Sequence, residues 1–100
     1  MPGTTVTLYH APGCHLCDRA RDVVTGARDE LGFDLVEVDI SGDAGLEARY
    51  REWLPVVEIE GERVFVYHVD PIAFRRKVAR VSVVGRLAEP PQSPPRGDRR

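Results

Sequence analysis

Within the first forty residues the spacing of apolar side chains changes twice, and this change restricts the fold more than any other feature of the chain. Residues 4–10, "TTVTLYH", place Val6, Leu8 and a third in-facing candidate, His10, at steps of two among threonines and Tyr9. That is the period of a β-strand, written in β-forming residues. Pro12 and Gly13 stop it. From Cys14 onward the step becomes three and four, through Leu16, Ala20, Val23, Val24, Ala27 and Leu31. This predicts an amphipathic helix whose outer face carries Asp18, Arg19, Arg21, Asp22, Arg28 and Asp29. Gly32 is placed to cap it in a left-handed conformation. The run "FDLVEVDI", 33–40, reads as a second strand, with Leu35, Val36, Val38 and Ile40 suited to burial on both faces. Strand, helix and strand in so short a span make a βαβ unit, with parallel strands and a right-handed crossover.

The second half has a different rhythm. "SGDAGLEARYREW", 41–53, opens on turn residues and continues as a short helix carrying Leu46, Tyr50 and Trp53. "LPVVEIEGERVFVYH", 54–68, holds two β-rich runs, 56–60 and 63–67, around Gly61-Glu62. A two-residue loop with glycine first predicts a II′ turn and antiparallel neighbours. Asp70-Pro71 is a helix start, aspartate as N-cap and proline in the first turn. Phe74, Val78 and Val81 form that helix's buried stripe, and Gly85 is a candidate terminus. The order is β-α-β-α-β-β-α, an α/β domain with a four-stranded mixed sheet and helices on both faces, over residues 1–88. Residues 89–100, "EPPQSPPRGDRR", hold four prolines and nothing apolar to bury, which predicts a disordered tail.

Composition narrows the function classes. At 100 residues and 42% hydrophobic, the chain supplies one modest core. The formal net charge is −2, and the one dense basic run is Arg75-Arg76-Lys77 with Arg80. It reads as the solvated last turns of a helix, favoured there by the helix dipole, and not as a nucleic-acid surface. No signal-like leader and no stretch near the roughly 20 apolar residues of a membrane helix is present. The expectation is a soluble, monomeric, cytoplasmic protein with reduced thiols. Thirteen of the fourteen basic residues are arginine, a usage that fits a GC-rich bacterial genome.

In a reducing compartment, the two cysteines of the chain, Cys14 and Cys17, point to catalysis or metal binding before structural cross-linking. Cys14 falls where the Pro12-Gly13 turn meets the helix start. There the free backbone N–H groups and the positive end of the dipole favour a thiolate. Cys17, one turn on, shares its face and can resolve a mixed disulfide formed at Cys14. The same pair is also half of a zinc site. A closed zinc site needs two further ligands, and only His10, His15 and His68 remain to supply nitrogen. His15, off the helix start, either carries positive charge toward Cys14 and the substrate or sits exposed, while His10 and His68 end strands. Haem attachment needs histidine after the second cysteine, and Asp18 stands there. Pro55 is either an ordinary strand-start proline or the site of a cis bond. In the cis case it packs on the cysteine pair and leaves the Leu54 backbone free to pair with an extended substrate.

Together "TLYHAPGCHLCDRA", the later "LPVVEIEGE" and the element order resemble the thioredoxin fold. More narrowly, they resemble the small glutaredoxin-like proteins with Cys-x-x-Cys after a Pro-Gly turn, over about residues 4–83. The resemblance implies a thiol–disulfide oxidoreductase in which Cys14 attacks, Cys17 resolves, and Pro55 is the cis-proline preceded by Leu54. His15, Leu54 and Pro55 are the expected substrate contacts. No resident cofactor and no metal is implied. Glutathione or another small thiol is the implied co-substrate, and a protein disulfide or small-thiol mixed disulfide the partner. The chain departs from the family pattern after the hairpin. Phe65-Val66 stands where glutaredoxins usually carry Gly-Gly, with Asp70 near the acidic position that follows; Ala11 stands where a basic residue often precedes the motif. His15-Leu16 replaces the common tyrosine between the cysteines. The alternatives are a thioredoxin-fold module holding a metal or cluster on the same cysteines without turnover, and a redox-silent interaction domain.

Overall fold

The computed structural model describes residues 3–88; the tail expected at 89–100 lies outside the described residues. The elements follow the order read from the sequence. They are β1 (Thr5–His10), α1 (His15–Leu31), β2 (Asp34–Asp39), α2 (Ala44–Tyr50) running into a 3-10 turn (Arg51–Trp53), β3 (Val56–Ile59), β4 (Glu62–Val66) and α3 (Pro71–Ala88). The strands form one sheet in the order β2-β1-β3-β4. β1 and β2 are parallel, and β1–β3 and β3–β4 are antiparallel.

Alternation along the two central strands divides the interior in two. Val6 and Leu8 of β1, opposite Ile59 and Val57 of β3, face one side. There they pack with Ala20, Val24 and Ala27 of α1 and with Phe74 and Val78 of α3, all buried. Phe74 is the keystone of this layer, edge-on to Phe33 at 5.8 Å between ring centroids and 6.2 Å from Phe65. Tyr9 and Val56, on the other face, join Ile40, Tyr50 and Leu54 beneath α2. Helices therefore cover both faces, α1 and α3 on one and α2 on the other.

Four expectations need correction. β2 is an edge strand, so Leu35 and Val38 are half-buried and Val36 is 45% exposed; only the flanking Phe33 and Ile40 are buried. Leu16 lies outside the buried stripe of α1, 46% exposed, and Cys17 takes its place in the core. The hairpin loop is Glu60-Gly61, not Gly61-Glu62. Both residues have positive φ, 53° and 81°, the type I′ geometry whose twist matches that of the strands. The Glu60 carboxylate accepts from the Thr5 N–H, and the Glu60 N–H donates to the Thr5 carbonyl, which moors this turn to β1. Finally, α3 continues through Gly85 to Ala88, which puts Arg75-Arg76-Lys77 and Arg80 in its first ten residues and not in its last turns. A lone glycine costs a helix only about 1 kcal/mol relative to alanine and need not end it.

Both expected caps are present. Gly32 has φ 77° and donates to the Arg28 carbonyl at 2.7 Å. The Asp70 carboxylate accepts from the Ala73 N–H at 2.8 Å.

Candidate redox site

Chain direction at the site is set by the turn between β1 and α1. Ala11 is buried, and Gly13, at φ 78°, makes the left-handed bend that delivers Cys14 to the helix start. Cys14 is the N-cap, with extended backbone (φ −92°, ψ 105°). Its sulfur accepts from the Cys17 N–H at 3.1 Å, and its carbonyl accepts from the Asp18 N–H at 3.2 Å. A cap is ordinarily an oxygen of serine, threonine or aspartate. Here a sulfur fills that role, at the positive end of a 17-residue helix.

Cys14 and Cys17 are joined as a disulfide, with their Cα atoms 5.2 Å apart. The two cysteines differ in burial. Cys14 is half-buried at the edge of the site, whereas Cys17 is 2% exposed, packed with Ala11, Ile40, Tyr50, Leu54 and Val56.

The loop before β3 reaches the same place from the other half of the chain. The Leu54-Pro55 bond is cis, as one of the two sequence readings required. Leu54 shares the buried cluster with Cys17, and Pro55 is fully buried. The Pro55 carbonyl accepts from the Tyr67 N–H at 3.0 Å, tying this loop to the end of β4. Among the described residues no loop or strand hydrogen bond uses the Leu54 carbonyl. Of the expected site residues, then, Cys17 and Leu54 share one cluster with Cys14 at its edge, while His15 points into solvent. His10 is half-buried, its Nδ1 3.4 Å from the Arg21 guanidinium, and His68 is exposed. Among the described residues no group of three or more His, Cys, Asp or Glu side chains converges to hold a metal ion.

Sequence reasoning missed the rim of the site. Tyr67, left-handed at φ 68° and 46% exposed, stands beside the half-exposed Leu16, and a cavity of about 170 Å³ runs between them toward Arg19 and His68. Trp53 is 42% exposed, its ring centroid 6.1 Å from that of Tyr67. The sequence reading places Trp53 on a short helix. Only the end of the 3-10 turn and the strand order turn it outward. Three backbone N–H groups after β4 are engaged: Tyr67 donates to Pro55, His68 to the Val66 carbonyl at 2.7 Å, and Ala73 to Asp70.

Residues 5–79 match the model of the family described as Glutaredoxin-like domain (DUF836). The uncharacterized protein Rv0508 of Mycobacterium tuberculosis (strain ATCC 25618 / H37Rv) is 32% identical over 80 residues, which cover 75% of this chain and 82% of that protein. Among solved structures, the Northeast Structural Genomics target protein XcR50 from X. campestris is similar at 31% identity and a TM-score of 0.64, over 75% of this chain and 96% of that one. A mutant thioredoxin from Halobacterium salinarum NRC-1, at 17% identity, shares the fold with a TM-score of 0.61 over 77% of this chain and 73% of its own.

Proposed function

Because the chain belongs to the glutaredoxin-like family and has the thioredoxin fold, we propose that it is a dithiol–disulfide oxidoreductase working through Cys14 and Cys17. The observation that carries this reading is the disulfide at the start of α1, with one cysteine half-buried, its sulfur accepting from a backbone N–H, and the other in the core.

In the reduced protein the Cys14 thiolate is favoured by the Cys17 N–H and by the helix dipole. It attacks one sulfur of a partner disulfide. A Cys14–partner S–S bond forms, the partner's S–S bond breaks, and the departing thiolate takes up a proton. Cys17 then loses its proton and attacks the Cys14 sulfur. The mixed disulfide breaks, the second partner thiol is released, and Cys14–Cys17 is left oxidised. The partner gains two electrons, which two donor thiols later return to the pair as they become a disulfide themselves. Leu54, next to the cysteines and with its carbonyl outside the strand pairing, offers an acceptor to an extended partner segment. In this reading His15, exposed at the helix start, and Pro55, fixed in the cis loop beside Leu54, are the further substrate-binding residues. In this reading the partner is a protein disulfide or a small-thiol mixed disulfide. Glutathione or another small thiol is the co-substrate, no resident cofactor takes part, and the protein works as a monomer in the cytoplasm.

The test is trapping. Reduced Cys17→Ser, incubated with glutathione disulfide and separately with a disulfide-bonded protein, should accumulate a mixed disulfide at Cys14, seen as an adduct by intact mass under non-reducing conditions. Cys14→Ser should accumulate none. Equal adduct formation on the two variants would overturn the assignment of attacking and resolving sulfurs.

A further inference from the structure

On the α2 face of the sheet a cleft of about 480 Å³ opens between the end of α2 with its 3-10 turn and the β3–β4 hairpin. Its volume lies in the range of small-ligand sites, roughly 300–1,000 Å³. Two exposed arginines flank it. The Arg49 guanidinium lies 5.4 Å from the centroid of the Tyr50 ring, and that of Arg63 lies 5.9 Å from the centroid of Trp53. The bulge in β3–β4 at Val57/Glu58 sets Arg63 opposite Glu58 and so turns it to this face.

What these arginines lack is a carboxylate. The salt bridges of the described residues engage Arg21, Arg28, Arg51 and Arg75, and none engages Arg49 or Arg63. Among the described residues Glu58 is the one acid lining the cleft, and each of its oxygens accepts a hydrogen bond from a tyrosine. Oε1 accepts from the Tyr9 hydroxyl at 3.3 Å and Oε2 from the Tyr50 hydroxyl at 3.2 Å. Two guanidinium groups against one carboxylate leave the cleft positive. Seating each guanidinium near an aromatic ring orients it without using its N–H edge, which is the edge that pairs with a carboxylate in bidentate fashion.

We infer that this cleft binds a carboxylate-bearing ligand, its acid groups held by Arg49 and Arg63 and a flat or apolar part lying against Trp53. The chemistry fits a free polycarboxylic acid and equally an acidic segment of a partner protein, and the experiment separates these sources. The cysteines take no part, so failure here leaves the redox reading untouched.

Trp53 is the sole tryptophan of the chain and lines this cleft, so its fluorescence responds to a ligand bound there. Citrate and a capped peptide of aspartate and glutamate are titrated into the oxidised protein and into the Arg49→Gln, Arg63→Gln and Arg76→Gln variants. Calorimetry on the same samples gives affinities independent of the fluorescence baseline. The expected result is saturable binding of at least one probe, weakened about tenfold or more in Arg49→Gln and in Arg63→Gln, as loss of a charge-assisted hydrogen bond implies, and unchanged in Arg76→Gln. Saturation by citrate assigns a free acid; saturation by the peptide alone assigns a protein segment. Both arginines are exposed, so their variants should keep the wild-type melting temperature. Absence of saturable binding by both probes, or binding that survives both Arg→Gln changes, overturns the inference.

Discussion

The backbone N–H of Cys17 donates to the sulfur of Cys14 across the first turn of α1, at 3.1 Å. This single contact links sequence to chemistry. The three-residue spacing brings donor and acceptor together only because a helix begins at His15, and the helix begins there because Gly13 turns the chain and a sulfur caps it. In the proposed reduced form the same donor is expected to face the Cys14 thiolate, with Cys17 in the core.

Alkylation of the reduced protein should therefore be selective. Cys14, half-buried at the helix start, should be modified first. Cys17, 2% exposed, should stay unmodified while the protein is folded. Peptide mass mapping after timed alkylation checks both; equal modification of the two cysteines contradicts the assignment.

Tyr9 should resist ionisation. Burial, then the neighbouring Tyr50 hydroxyl and the Glu58 carboxylate, push its phenol far above the usual tyrosine range. A folded value above the unfolded one means that the native state holds this proton longer. The stability it contributes is complete below roughly pH 10 and is lost as pH rises beyond. In a phenolate absorbance titration, Tyr9→Phe should remove the component that titrates last and leave the earlier ones in place. Loss of an earlier component instead would contradict the assignment.

Phe74→Ala should cost more stability than loss of any helix cap. The ring is fully buried between Phe33 and Phe65, at the junction of α3 with the sheet. Truncation loses burial and leaves a cavity, for about 3–5 kcal/mol. Urea denaturation with an unchanged m-value checks it.

Asp70→Ala should cost about 1 kcal/mol, the usual value of an N-cap. Asp70→Asn keeps an oxygen for the Ala73 N–H and should recover most of the loss. Thermal melts of the two variants, side by side, test the cap directly.

Local signals in the sequence carried the element order, both helix caps and the cysteine pair. Gly32 after a periodic run and Asp70-Pro71 before one each act over three or four residues, so their outcome needs no tertiary knowledge. The signals that misled were those whose meaning depends on neighbours. Val36 looked buried because its run is apolar, but strand order makes β2 an edge. Leu16 fitted the helical period as well as Cys17 does, and only the docking of α1 against Leu54 and Ile40 decides which faces inward. The Glu60-Gly61 turn was displaced by one residue because sheet twist favours two positive φ values, and glutamate adopts one of them with its carboxylate moored on Thr5. Nothing local announced that Arg49 and Arg63, fourteen residues apart, would flank one cleft.

The central claim is that Cys14 and Cys17 form a working redox couple, and its most direct test is the reduction potential of the pair. Metal-free protein is equilibrated against thiol–disulfide buffers of graded poise, and the oxidised fraction is read by thiol trapping. The expected result is one reversible two-electron transition between about −300 and −120 mV, the span of thioredoxin-like catalysts. Failure to form the intramolecular disulfide anywhere in that range would contradict the claim.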